Sequence, residues 1–441
     1  MDQVSQISSG PIAPAERLEA MDFLRGVAIF GILMVNMAFF ALPFMEAIYP
    51  QDYSAWSGVD RAGYLFVKVL FEFKFVSMFS LLFGAGLVMQ WTRARTAGSG
   101  FAGRYYRRIA LLAAFGLVHG LLLWYGDILF IYACVGSILY FFRGLRPRTL
   151  LYTAGALLIV TMILSVSLLA LEMASEAVAE SPSILREDSQ GQISGAADEG
   201  SPRGFDAMAA AAWDPAGEEW VAGERIAYRE GPFADAMAYR VVSFTMALVF
   251  TLIGFGWHIM AMFLVGAAFM KMQFFSRERR ALQARVAMIF LPLGLLLEVT
   301  NALVTTGGVA SLGWEDAVGA VLHEMGAASL CLGYVGVGAL IATAARGSGL
   351  LSPIRAVGRM ALTAYLLSTL VTTFLMYHWG LGWFGTLGRA ELVMLVPVIY
   401  AGLAVVCVVW LRLFRFGPFE WLWRSVTYLR AQPMLREMSG G

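Results

Sequence analysis

Charge is what this chain has least of. Only 14% of its 441 residues are Asp, Glu, Lys or Arg, against about 25% in a typical soluble domain. That is too little to cover a water-facing surface, which excludes a soluble enzyme and a disordered regulator. The 32 basic and 31 acidic residues cancel to +1, so no basic excess is available for a nucleic acid. Cysteine is nearly as scarce. Cys134, Cys331 and Cys407 lie inside apolar runs with no CxxC spacing, which supplies neither a disulfide framework nor a zinc site. Soluble-enzyme motifs are missing too: there is no phosphate-binding loop and no GxSxG elbow. The HEMGA stretch from His323 has Ala327 where an HExxH metal site needs its second histidine. No metal centre and no resident cofactor are expected.

What fills the chain instead is apolar. Hydrophobic residues make up 59% and the mean hydropathy is +0.69. A bilayer-crossing helix needs about 20 mostly apolar residues, because lipid cannot satisfy an open backbone. Ten stretches qualify, at 23–44, 68–91, 107–125, 127–142, 149–171, 241–270, 285–304, 321–345, 357–379 and 392–414. With the N-terminus inside, 23 of the 32 basic residues fall in cytoplasmic segments, as the positive-inside tendency requires. The expected fold is therefore all-α and polytopic, with about ten spans and both termini cytoplasmic. The sixth span, with Gly254, Gly256 and His258 in its middle, reads as one long tilted or broken helix. Lys68 and Glu72 stand i,i+4 in the second and are placed to pair.

The chain divides into a first membrane half (1–171), an acidic outer loop (172–240), a second membrane half (241–414) and a cytoplasmic tail (415–441). The loop carries 14 acidic and 5 basic residues. Its Ser/Gly-rich first half reads as a tether. Its second half, with Trp213, Trp220, Tyr228, Phe233 and Tyr239 among charges, reads as short amphipathic helices on the outer membrane surface.

Ionisable groups within apolar spans are costly, so each is a functional candidate. Asp22 and Arg25 are i,i+3 neighbours at the start of the first span, and Asn36 follows three turns later on the same face. The same residues also fit a packed anchor helix. His119, flanked by Gly116 and Gly120, lies seven residues before the Gly126 turn, and Asp127 opens the next helix. That imidazole is either a structural hydrogen-bonding group or a general base in a cavity open to the outside. Lys74 lies inside the second span; His323, Glu324 and His378 sit at the outer ends of later spans. Glu298 and Asn301 can join them in a shared polar centre.

Six blocks carry a resemblance: RLEAMDFLRGVAIFGILMVN, FKFVSMFSLLFGAG, RRIALLAAFGLVHGLLLWYGDILFIYA, ERIAYREGPFADAMAYR, GRMALTAYLLSTLV and GPFEWLWRSVTY. In this order they closely resemble the YeiB-like family of bacterial inner-membrane proteins, the group called domain of unknown function 418. The DxxRGxAxxxxxxxN stretch from Asp22 to Asn36 also looks like the opening of the transmembrane acyltransferases. That likeness implies an acyl group taken from cytoplasmic acyl-CoA, such as acetyl-CoA, and placed on a small-molecule, glycan or lipid acceptor. Asn36 stands where acyltransferase-3 members have a histidine, and an amide is no base. The N-acetyltransferase branch takes its histidine from the following outer loop, but residues 45–63 contain none. The base is then His119, oriented by Asp127 or Glu324, or the chemistry is lost.

Acyl transfer is the leading expectation. A permease and a silent scaffold that uses the GPFEWLWRSVTY tail are the alternatives. Membrane lipids are the implied surroundings, and self-association is open.

Overall fold

The computed structural model describes residues 19–50, 58–180, 217–306, 315–345 and 349–436, with only the backbone for 172–180. The Ser/Gly-rich tether and Trp213 lie outside the described residues. Among those described, every regular element is helical, and extended chain pairs only at the isolated Phe414–Leu435 bridge.

The first half holds α1 (Glu19–Ala41), the short α2 (Phe44–Ile48), α3 (Gly58–Leu70), α4 (Lys74–Thr96), α5 (Ala102–Val118), α6 (Leu129–Leu139) and α7 (Pro147–Glu180). Then come α8 (Glu218–Glu230), α9 (Phe233–Lys271), α10 (Arg280–Thr306) and α11 (Glu315–Ala344). The chain closes with α12 (Ser352–Arg359), α13 (Ala361–Met376), α14 (Arg389–Leu413) and α15 (Pro418–Tyr428).

Among the described residues, seven helices are long and apolar enough to cross a membrane, or eight if α12 and α13, bent by 81° at Met360, make one span. The difference from ten expected spans has local causes. The 68–91 stretch breaks at residues 71–73, where Phe73 adopts a left-handed φ of 59°, so α4 starts only at Lys74. The 127–142 stretch yields a helix over Leu129–Phe142, roughly 21 Å at 1.5 Å per residue, against a hydrocarbon core of about 30 Å. The sixth stretch is one long helix interrupted by a π-helical turn over Thr251–Phe255, just before His258. Such turns relieve one misfitting residue without ending the helix. Apolar side chains such as Ile159, Ile163, Val398 and Val405 remain exposed on α7 and α14, as a lipid-facing surface requires.

The Gly256–Lys271 half of α9 is the hub of the core and is buried from His258 to Phe269. It approaches α4 so closely that a Cβ added at Gly84 would strike the Phe263 carbonyl, and one added at Gly266 would strike Leu81 O. A Gly266→Val substitution is therefore expected to cost about 3 kcal/mol through overpacking, read as a lower midpoint of thermal unfolding in detergent. A conservative change on the exposed face of α14, Val405→Leu, should leave that midpoint unchanged.

Basic segments meet at one end of the bundle. Lys271 donates to Arg143 O at 2.8 Å, Arg107 donates to Thr427 O at 3.1 Å, and Arg355 pairs with Glu19 at 2.7 Å. At the other end α8 seats its aromatic side chains against the protein. Trp220 and Tyr228 are fully buried, Arg225 pairs with Glu46 at 2.5 Å, and Tyr228 O accepts from His378 N at 2.8 Å. Its aromatic side chains pack on Tyr239 at the start of α9 and on Tyr377 and Phe384 beyond α13.

Candidate active site

Helix α5 runs into a π-helical turn, His119–Leu123, and the chain then reverses through Gly126 into α6. Gly116 lets the start of α6 come close: an added Cβ there would collide with Phe130 N. Asp127 Oδ2 accepts from Phe130 N at 2.7 Å, capping α6 as a carboxylate suits a helix N-terminus. Its other oxygen lies 2.9 Å from His119 Nδ1, and His119 Nε2 lies 2.9 Å from Thr369 Oγ1 on α13. A carboxylate only accepts, so Nδ1 carries a proton, while Nε2 faces the Thr369 hydroxyl, which also reaches Tyr365 O at 3.3 Å. His119 is 1% exposed and Asp127 4%, so the pair is shielded from bulk water. The arrangement is that of a histidine base oriented by an acid.

A cavity of about 210 Å³ approaches this pair from the Arg25 end of the bundle. Its mouth gathers Arg25, Arg108, Arg359 and Arg424, with Asp22 and Glu420 as the acidic groups. Its deeper wall is apolar, made by Ile29, Ile32, Leu82, Phe83, Leu112 and Leu129, and includes Tyr365 and Ile128. Tyr365 separates the cavity from the base: its ring stands 5.0 Å from that of His119. The tail completes the mouth. Trp423 stacks on Arg108 at 3.7 Å, and Glu420 Oε1 accepts from Leu362 N and Thr363 N at the start of α13. The GPFEWLWRSVTY segment is thus seated on its own chain.

The expected residues divide into separate groups. Asp22 and Arg25 pair at 3.2 Å and line the cavity. Asn36, three turns on, does not line it. Glu324 does not orient His119; it lies 2.6 Å from His258 Nδ1. Lys74 and His323 meet on Glu298 instead, at 2.9 and 3.1 Å. His378 stays apart from both groups, its ring 6.5 Å from Phe233. Lys68 does not pair with Glu72 but donates to Thr305 at 3.2 Å, because the chain break at 71–73 removes the helical register.

Sequence reading missed Thr369 and Tyr365, and it placed Arg108, Arg359 and Arg424 only among the inner basic segments without singling them out. One signal was visible: Ser368, Thr369, Thr372 and Thr373 put four hydroxyls into an apolar helix, and all are buried. No local pattern announces the arginines, which come from four different segments.

The family model described as "Protein of unknown function (DUF418)" matches residues 269–430. The chain is 31% identical to "Uncharacterized protein YxaH" of Bacillus subtilis (strain 168), over 97% of this chain and 98% of that protein. The chain belongs to the DUF418 family. Within it, "Uncharacterized protein YeiB" of Escherichia coli (strain K12) is 30% identical over 96% of this chain and all of its own length. No solved structure matches. A DUF418 chain of this kind is a multi-pass membrane protein.

Proposed function

We propose that this protein is a membrane-embedded acyltransferase of the bacterial inner membrane. It takes an acyl group from an acyl-CoA held in the arginine-lined cavity and passes it to a hydroxyl or amine acceptor at or beyond the outer leaflet. The observation that carries this reading is the cavity itself, cationic at its mouth, apolar along its length and ending one ring short of a histidine–aspartate pair. The planar guanidinium fork suits phosphate bidentately, and the apolar wall suits an acyl chain. The acceptor takes the place of the Thr369 hydroxyl at His119 Nε2, which removes its proton as the acceptor attacks the thioester carbonyl. The carbon–sulfur bond breaks, and the imidazolium returns the proton to the departing thiolate. Asp127 holds the ring and balances its charge while it is cationic. Tyr365 must swing aside for the carbonyl to reach the base.

Purified protein in lipid, given labelled acetyl-CoA or a long-chain acyl-CoA together with membrane extract as acceptor, should move the label to a product. Arg25→Ala with Arg424→Ala should raise the KM for acyl-CoA at least about tenfold, since each charge-assisted phosphate contact is worth roughly 1.5–3 kcal/mol. A KM unchanged by the double variant would sink the cavity assignment.

A permease is the second reading, favoured by the 81° break between α12 and α13, since broken helices line substrate sites in transporters. Solute accumulation in vesicles without any acyl-CoA distinguishes it.

A further inference from the structure

Helices α4, α9, α10 and α11 enclose a second polar centre that acyl transfer leaves unused. Lys74, Ser77, His258 and Glu298 are fully buried. Ionised groups at such depth are expensive and are characteristic of charge and proton pathways. Lys74 Nζ lies 2.9 Å from Glu298 Oε1 and donates to Lys68 O at 2.7 Å. The other oxygen of Glu298 is 3.1 Å from His323 Nδ1. The neighbouring Glu324 lies 2.6 Å from His258 Nδ1, and His258 Nε2 lies 2.6 Å from Ser77 Oγ.

The hydrogen bonds assign the charges. The Ser77 hydroxyl donates to Phe73 O at 2.5 Å, so it accepts from His258. His258 then donates from Nε2 to Ser77, and its Nδ1 is bound to Glu324. Lys74 balances Glu298. His323 remains as the neutral ring of the centre, donating from Nδ1, while its Nε2 is buried without a hydrogen-bond partner. A vacant ring acceptor beside a carboxylate shared with a lysine is a place for one more proton. The other polar groups around it are Asn301 on α10, Tyr334 on α11, which interacts electrostatically with Glu298, and, beyond Lys74, Lys68 near the end of α3 and Glu72 at the break after it.

We propose that Lys74, Glu298 and His323 form a proton-binding centre within the membrane part of this protein. A proton from water binds His323 Nε2, and the Nδ1 proton passes to Glu298, which becomes a neutral carboxylic acid. Lys74 keeps Lys68 O and turns to the carboxylate of Glu72, which interacts with it electrostatically and lines a separate cavity of about 90 Å³. One proton is taken up, and no other bond is made or broken. The side chain of His323 is 18% exposed although Nε2 itself is buried, so ring motion opens the way for that proton.

Infrared difference spectroscopy on the full chain in lipid, between about pH 8 and pH 5 to span the ordinary histidine range, reads this directly. In a Glu224→Gln background, which removes the other buried carboxyl that titrates in this range, the carbonyl stretch of a protonated carboxylic acid should appear on acidification and be lost when Glu298→Gln is added. It should also be lost in Lys74→Met combined with Glu298→Gln, which removes both charges and leaves no lone buried ion to impair folding. In His323→Gln, which still donates to Glu298 but takes up no proton, the band should rise at least about tenfold more slowly after a pH jump. A band retained in the double variant, or a wild-type rate in His323→Gln, overturns the proposal.

Discussion

Acyl transfer by His119→Gln is expected to fall by about 10²- to 10⁴-fold, the usual contribution of a positioned base. Glutamine can still donate to Asp127, so the buried carboxylate keeps a partner and the fold is preserved. His119→Ala should lose as much activity and, in addition, some stability, because Asp127 would be left facing a void in the core. Asp127→Asn tests the orientation. An amide that presents N–H to the ring favours the tautomer with its proton on Nε2, which removes the base from the acceptor side. Initial rates at saturating acyl-CoA separate these effects from binding, and all three variants should bind the donor as the wild type does. Wild-type turnover in His119→Gln would remove His119 from the chemistry.

The second large effect is a pH dependence of stability at the opposite end of the bundle. Glu224 on α8 is fully buried, and one of its oxygens accepts from Phe44 N at 3.0 Å while the other has no partner. Burial pushes its carboxyl up to about 8; the Phe44 bond opposes the shift and nearby Glu46 adds to it. The folded protein therefore keeps a proton that the unfolded chain gives up near pH 4.5. Stability is greatest below that value and declines as the pH rises to about 8, by on the order of 4 kcal/mol. Glu224→Gln has the same shape and no charge to bury, so its stability should stay flat across this window. It should exceed the wild type above pH 8, while below pH 4.5 the two should coincide. Thermal unfolding in detergent, with hydrogen exchange over 218–230 as the local readout, checks this. Parallel pH profiles for the two proteins would show that Glu224 is ionised in the fold.

Much of the fold was legible because lipid narrows the choices. An apolar run of sufficient length has to be a helix, and the helices at 19–41, 280–306, 315–344 and 389–413 lie where the hydropathy puts them. The second span was misplaced because hydropathy averages over the break at residues 71–73. There a left-handed Phe73 turns the chain, and Lys74 starts a new helix beneath the surface. The His119–Asp127 pair was legible as well. Eight residues and one tight turn separate the two, so local geometry alone brings them together. Thr369 lies 250 residues from His119, and no periodicity within either helix points to the other.

By itself the sequence determined that this protein is an all-helical membrane protein of the DUF418 family, with Asp127 one of two candidate partners for His119. The helical membrane class follows from composition and run length, the family from the resemblance of six sequence blocks, and the closeness of the two side chains from the short turn between them. Only the tertiary structure decided which charges share a site. It gave Glu324 to His258, put Lys74 and His323 on Glu298, and collected four arginines from four segments around one cavity. The reason is energetic. A buried charge must find a partner wherever packing supplies one, and packing is settled by how whole helices fit, not by spacing along the chain.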